Sequence, residues 1–416
     1  MNKIKYTLLS CSLGMAVAVF AGCADLDYNE ASNRDEDWTY NSPLNGVKAL
    51  VYDVYAQMPS EFKDNSYGNG ALIASATDES EFALSFSPIH KYFNGGWTPS
   101  NPFSTTWDRS YRAITQVHMY LERIHKIDLS DYEYDPDYQT MVQQFEIFPY
   151  ELRFLRAYFY FELVRAYGDV PLVTTALTNE QANSVERTPA KDVFKFIINE
   201  LDAVAEYLPV SYNDIPGQEI GRATRGAALA LKARALLYQA SPLFNTDNNK
   251  ELWKEAAASK VIIDNAQRWG YKLSEYANLW GHDTFTNPEF IFVLGTQASN
   301  TFEQYNYPVG VENGNSGNCP TQALVDAYEY QTDGKTFKEK HPGDVDVTTE
   351  NPYDGLDPRF ELTVVKNGDL WPSNTTQQIA IETYQSGFNG APKYSATPTG
   401  YYLKKFVDGN CVTTAN

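Results

Sequence analysis

Cysteine, histidine and methionine are all scarce in this chain: four, five and five residues among 416. Cys11, Cys23, Cys319 and Cys411 are scattered without C-x-x-C spacing, which argues against zinc or dithiol redox chemistry. Basic residues are also few, 33 Lys and Arg against 53 Asp and Glu, for a net charge of −20. So acidic a surface repels phosphodiester backbones, and no basic stripe offsets it, so nucleic acid is not an expected partner. No G-x-S-x-G, H-E-x-x-H or Walker-type glycine loop occurs, and no cofactor or metal is implied. His118 and His125, seven positions apart, read as core or solvent-facing side chains and not as metal ligands. A glycosidase needs two positioned carboxylates. Chance supplies many such pairs among 53 acids, Asp78/Glu79 and Asp344/Asp346 included, so none singles itself out. Asp25, Asp27, Asn29 and Glu36 imitate calcium-loop positions, but Glu30 stands where that loop requires glycine.

Long hydrophobic runs are missing as well. The apolar run over residues 7–20 has fourteen residues, too few to span a bilayer. It follows Lys3 and Lys5 and precedes Phe20-Ala21-Gly22-Cys23, the order of a bacterial lipoprotein signal peptide over 1–22. Cys23 is then the lipidated residue, with palmitate among its chains. Ordinary secretory cleavage with a free Cys23 is the other reading, but a free terminal thiol has no evident use outside the cytoplasm. At about 0.8 kcal/mol per buried CH₂, several acyl chains anchor a protein stably. Residues 23–43, beginning Cys-Ala-Asp-Leu-Asp, are polar and acidic and read as a tether. Cys319 and Cys411 remain in the mature chain, and the sequence leaves their pairing open.

What the chain does have is apolar and aromatic content, 43% and 14%, enough for a large core. Residues 44–269 carry helical periodicity. Val47, Leu50, Val51, Val54 and Tyr55 form one stripe over 44–58, and Trp107 to Ile124 continue the pattern over 104–127. Further helices are expected over 137–167, 189–208, 222–239 and 252–266. The alanines at 223, 227, 228, 230, 233 and 235 put small residues on several faces, where neighbouring helices can approach closely. Repeated helix pairs of this kind predict a mainly α, tetratricopeptide-like solenoid. From 270 to 416 the periodicity gives way to Gly-, Asn-, Pro- and Tyr-rich segments. Strands are expected at Glu289–Leu294 (EFIFVL) and near Phe360–Val365, and a helical turn at Thr321–Tyr328. This minor-β region, packed on the helical scaffold, is where recognition is expected.

The stretch YELRFLRAYFYFELVRAYGDVPLV (150–173) holds seven aromatics and three arginines. At 100° per residue, Leu152, Leu155, Phe159 and Leu163 share one face, and Phe154, Tyr158 and Phe161 share another. Two apolar faces describe an inner helix. Arg153 and Arg156 lie between them and need carboxylate or carbonyl partners. Gly168 suits the position after the helix end.

This stretch resembles the signature helix of the SusD/RagB family of outer-membrane nutrient-binding lipoproteins. Further segments resemble that family's landmarks in order: Trp107 to Ile114, RTPAKDVFKFIINELDAVAEYLP, GRATRGAALALKARALLYQASPLF, NPEFIFV, PTQALVDAYEYQTDG, YDGLDPRFELTV and TGYYLKKF. The resemblance implies a non-enzymatic, cell-surface protein, lipid-anchored to the outer membrane. It would bind a nutrient, an oligosaccharide above all, and deliver it to a SusC-like TonB-dependent transporter. It also implies a further helical unit after TGYYLKKF, so the chain is expected to be incomplete at its C-terminus, with apolar scaffold left uncovered.

Sugars stack their C–H faces on flat aromatics and pair their hydroxyls with polar side chains. Two loops fit. HKYFNGGWTPSN (90–101) places Trp97 after two glycines, with Asn101 close by. NTFEQYNYPVGVENGNSGN (300–318) combines Phe302, Tyr305 and Tyr307 with Asn306, Asn313 and Asn315. Trp97 reads equally well as a plug at the scaffold edge. Trp280 and Trp371 are lesser candidates, and Trp107 reads as core. The alternatives to a binding protein are a secreted glycan-degrading enzyme and a purely structural interaction scaffold.

Overall fold

The structure is a computed structural model that describes residues 46–60, 70–101, 106–212, 219–281, 286–295, 299–345, 351–371 and 378–413. The expected signal peptide, Cys23 and the tether lie outside the described residues. Contacts divide the chain into Met1–Lys48 and Ala49–Asn416. The packing below concerns the second unit.

The helices are α1 (Lys48–Ala56), α2 (Thr106–Ile124), α3 (Tyr138–Tyr167), α4 (Asn179–Ser184), α5 (Ala190–Ala205), α6 (Arg225–Ala240), α7 (Lys250–Ala258) and α8 (Val261–Trp269). In the loop-rich part follow α9 (Thr301–Asn306), α10 (Gln322–Asp326), α11 (Phe337–Lys340) and α12 (Arg359–Thr363). The mainly helical class is therefore observed. Helices α2, α3, α5, α6 and α7 each pack chiefly on the next in this order, as in a solenoid.

Helix α3 is the inner element its two apolar faces predict. Leu152, Leu155, Phe159 and Leu163 are buried, and so are Phe154 and Phe161 on the other face. It ends at Gly168, whose φ of 69° is open to glycine without strain and whose N–H donates to the Val164 carbonyl. Glu200 of α5 accepts hydrogen bonds from both Arg153 and Arg156. Burial raises the Glu200 carboxyl, but the Arg153 hydrogen bonds and the Arg156 charge outweigh it and hold the group below its usual value. A second clamp lies on the same helix. Glu151, fully buried, accepts from the Arg222 guanidinium and from the Tyr55 hydroxyl (2.6 Å), while the Ala223 N–H donates to that hydroxyl at 2.8 Å. The guanidinium lies over the rings of Phe148 and Tyr212 at 5.2 and 4.5 Å. One carboxylate thus ties α1, α3 and the lead-in to α6 together.

On α6, Gly226 faces Tyr271 so closely that a Cβ there would lie 2.1 Å from the tyrosine oxygen. The helix expected over 252–266 is instead two, α7 and α8, broken where Ser259 turns its hydroxyl back to the Ala256 carbonyl. Neither α7 nor α8 buries a residue, and Leu237, Leu243, Trp253 and Ile263 are exposed around them.

The strands are short: β1 (Ser80–Phe82), β2 (Asn318–Pro320), β3 (Val364–Val365), β4 (Leu370–Trp371), β5 (Ile379–Ala380) and β6 (Tyr402–Leu403). They form three antiparallel pairs, β1–β2, β3–β6 and β4–β5. The register Ser80↔Pro320, Glu81↔Cys319, Phe82↔Asn318 joins positions about 240 residues apart. The strand expected at Glu289–Leu294 is not formed. The segment lies against the scaffold instead, with the Phe292 ring edge-on to Phe154 of α3 at 5.4 Å. The expected strand near Phe360–Val365 is mostly α12, with only Val364–Val365 paired. Cys319 and Cys411 are both free thiols beside one cluster with Trp371 and Tyr402.

Two outcomes follow. Arg222→Met leaves Glu151 buried and unpaired, and should cost about 3–5 kcal/mol in chemical denaturation; adding Glu151→Gln should recover part of that loss. His118 is buried on α2, its Nε2–H donating to the Val173 carbonyl at 3.1 Å and its Nδ1 facing Arg156. Burial first, then the Arg156 charge, push its pKa down to about 4. The unfolded chain therefore binds the extra proton between about pH 6.5 and 4, and stability falls as pH drops through that window. His118→Gln should flatten the decline between pH 6.5 and 5, where ordinary carboxylates do not yet titrate.

Candidate carbohydrate-binding surface

The two loops read as binding segments converge on one small apolar cluster, Ala71, Phe82, Leu84 and Ile89. Phe82 and Leu84 come from β1 and the turn after it. Ile89 comes from a 3₁₀ turn (Pro88–Tyr92) whose cap, Ser87, accepts from the Ile89 N–H. Tyr92, at the end of that turn, and Tyr305, from α9, both pack against this cluster. Trp97 lies edge-on to Tyr92, with ring centroids 4.9 Å apart and planes at 82°.

The turn that carries Trp97 is cross-braced. Asn94 Oδ1 accepts from the Gly96 N–H at 2.9 Å, and Asn101 Nδ2 donates to the Gly96 carbonyl at 3.0 Å. The Asn101 N–H donates to the Thr98 carbonyl, also at 3.0 Å. Gly95 takes φ of 77°, which glycine adopts without penalty. Trp97 is therefore held in a fixed attitude with 45% of its surface in solvent. Phe93 and Phe86, on the same stretch, are 59% and 61% exposed. Neither was singled out from sequence. The available signal was the mixed segment Phe86 to Phe93 (FSPIHKYF), whose apolar residues match neither a helical nor a strand period.

The other expected ligand contacts divide. Tyr305 is half-buried beside the cluster, and Asn313 is exposed at a left-handed turn position, φ 57°. Asn315 is half-buried and spends its amide on the Gln304 carbonyl at 3.0 Å and the Asn313 carbonyl at 3.2 Å. Phe302 and Tyr307 face inward. Phe302 packs with Leu72 and Leu403. Tyr307 packs edge-on to Trp371, and its hydroxyl donates to the carbonyls of Asp408 and Cys411. Trp371 is buried with it, and Trp280 is half-buried between Tyr276 and Phe406. These rings build the loops that carry the surface.

One side chain fastens the 300–318 loop to residues 70–75. Asn318 is buried and uses its amide completely: Oδ1 accepts from the Leu72 N–H (2.8 Å) and the Ser75 hydroxyl (2.7 Å). Its Nδ2 donates to the Gly70 carbonyl (2.8 Å) and to Asn306 Oδ1 (2.7 Å). Asn306 in turn accepts the Asn318 N–H and donates to the Phe302 carbonyl. Gly317 must be glycine here, because a Cβ would lie 2.3 Å from Asn306 Oδ1.

Among the described residues, no group of three or more His, Cys, Asp or Glu side chains is placed to hold a metal ion. Among them, too, no helix is long and apolar enough to cross a membrane.

Comparison with known proteins places these features. A family described as "Starch-binding associating with outer membrane" matches residues 26–237, about half of the chain, and the SusD family matches residues 288–416. SusD-like protein P25 of Formosa agariphila is 24% identical over 46% of this chain and 32% of its own length. The chain thus spans about a third of that curated relative. Among solved structures, a SusD-like protein from Bacteroides fragilis superposes with a TM-score of 0.72 at 25% identity, covering 91% of this chain and 71% of that one. A SusD-like carbohydrate-binding protein from the same species gives 0.68 at 24% identity, covering 89% and 69%.

Asn318→Ala removes four side-chain hydrogen bonds. It orphans the buried Leu72 N–H, at about 1–3 kcal/mol, and leaves the Gly70 carbonyl only the longer bond from Asn306 Nδ2 (3.4 Å). Denaturant titration should show a loss of about 3 kcal/mol or more, and hydrogen exchange should quicken at 70–75 and 302–306. Asn101→Ala, at an exposed turn, should cost under about 1 kcal/mol.

Proposed function

This chain belongs to the SusD family, and from that premise we propose that it binds carbohydrate at the cell surface, with the Trp97 turn as the stacking platform. One observation carries the reading: a braced tryptophan, nearly half in solvent, on the same stretch of chain as the exposed Phe93 and Phe86. The exposed part of the ring leaves apolar surface in water. Its gain comes when a sugar's C–H face covers it. Asn101, Tyr305, Asn313 and Asn315 lie on the same two loops, and their remaining polar atoms are suited to hydroxyls. The name of the carbohydrate-binding structural relative agrees with this class of ligand.

The protein acts as a binder and releases its ligand unchanged. Anchored through a lipid on Cys23, which lies outside the described residues, it hands the oligosaccharide to a SusC-like TonB-dependent transporter. The family resemblance supports that part, and no residue pattern among the described residues adds to it.

Trp97→Ala should weaken binding to immobilised polysaccharide roughly tenfold, about 1.4 kcal/mol, while lowering folding stability by about 0.5–1.5 kcal/mol through the lost Tyr92 contact and leaving the protein folded. Unchanged affinity would remove Trp97 from the surface. Depletion of polysaccharide without new reducing ends separates a binder from a glycan-degrading enzyme. Co-purification with a large β-barrel that survives glycan removal supports the transporter.

A further inference from the structure

A cleft of about 490 Å³ opens between β1–β2, α10, α12 and β6, and none of the Trp97 turn lines it. That volume falls in the usual range of ligand clefts, roughly 300–1,000 Å³. Three of its lining residues are aromatic, Tyr276, Tyr328 and Phe406, the first and last of them on one wall with Lys405. Lys405 stands at this wall with its ammonium over three rings, 5.4 Å from the Tyr276 centroid, 5.8 Å from Trp280 and 4.9 Å from Phe406. The ring cage fixes the lysine, and no carboxylate pairs with it among the described residues.

Charges of both signs line the same space, and of these Arg359 and Asp357 pair with each other. Arg359 is gripped by Asp357 through Nε and Nη2, which leaves Nη1 as a positioned donor. Glu79 and Glu329 also line the cleft, and neither carboxylate has an ion-pair partner among the described residues. With Asp357, three carboxylates face two cations. An anionic ligand meets Glu79 and Glu329, and a cationic one meets Lys405 and Arg359. A hydroxyl both donates and accepts, so a neutral polyol satisfies both kinds of group at once. Rings beside such a mixed polar rim suit a pyranose, with C–H faces for Tyr276 and Phe406 and hydroxyls for the charged groups.

We propose that this cleft is a second carbohydrate subsite, selective for uncharged sugar residues and separate from the Trp97 platform. The proposal rests on the carbohydrate reading of the protein and adds a site and a ligand class to it. Charge-assisted hydrogen bonds from Lys405 and Arg359 to sugar oxygens hold the ring in place, and Glu329 and Glu79 accept from its hydroxyls.

The test is a printed array of neutral, uronate-bearing and amino-sugar oligosaccharides, probed with the full chain. The variants are Trp97→Ala, the pair Tyr276→Ala with Lys405→Met, and all three changes together. Neutral glycans should bind. The cleft pair should lower their affinity roughly fivefold or more, as loss of a charged hydrogen bond and a ring contact implies. Trp97→Ala should keep residual binding that the triple variant loses. Glu329→Gln, an exposed isosteric change, should show part of the same loss and covers the case in which Tyr276→Ala does not fold. If the cleft variants bind as the parent does while Trp97→Ala abolishes binding, the second subsite falls and the Trp97 platform stands. If only uronate-bearing glycans depend on the cleft, its selectivity for neutral sugars is overturned. An array that stays blank overturns both sites.

Discussion

A single buried amide holds the proposed binding face together. Asn318 draws Gly70, Leu72 and Ser75 from one end of the chain and Asn306 from the other, with all four of its hydrogen-bonding valences used. A buried amide is costly unless fully paired, and when fully paired it admits very few alternative arrangements. That selectivity is what two long, mostly aperiodic loops need. Once Asn318 is in place, β1 and β2 share a register, Phe82 and Ile89 close their cluster, and Tyr92 and Tyr305 pack on it. Trp97 leans on Tyr92 and so inherits its position from the joint.

The helical scaffold uses charge in a similar way. Its apolar faces supply most of the driving force, but apolar contact alone permits sliding between helices. Glu151 with Arg222 and Tyr55, and Glu200 with Arg153 and Arg156, fix which turn of one helix meets which turn of the next. Each pair carries a desolvation cost, so its contribution lies in register more than in net stability. The aromatic and arginine-rich stretch of α3, which has the composition of a binding site, is the axle of this scaffold. Arg153 and Arg156 are consumed by Glu200 of α5 and Arg165 by Glu162 of its own helix, while the rings of the stretch pack against the neighbouring helices and Phe292.

The sequence showed the helical half of this picture well. Periodicity located the inner helix with both its faces, Gly168 marked its end, and two arginines between apolar faces announced the carboxylate that α5 provides. The ordered motifs pointed to the family. The loop region was less legible because its contacts are long-range. Nothing local says that Ser80 pairs with Pro320 or that one asparagine of a Gly- and Asn-rich run becomes the joint. Aromatic residues in a loop could be named, but not sorted. Trp97 points to solvent, whereas Phe302 and Tyr307, of equal apolarity, point inward because their neighbours, Leu403 and Trp371, arrive from about 100 and 60 residues away. EFIFVL has the composition of a strand, yet it lies on α3 through Phe292 and does not enter a sheet.

The structure of a complex bears most directly on Trp97 as the sugar platform. The full chain would be crystallised with a neutral oligosaccharide that it binds. The predicted result is a pyranose ring lying flat across the Trp97 indole, with the turn around Asn101 in the braced form described above. A sugar bound with the Trp97 ring untouched in solvent would contradict it.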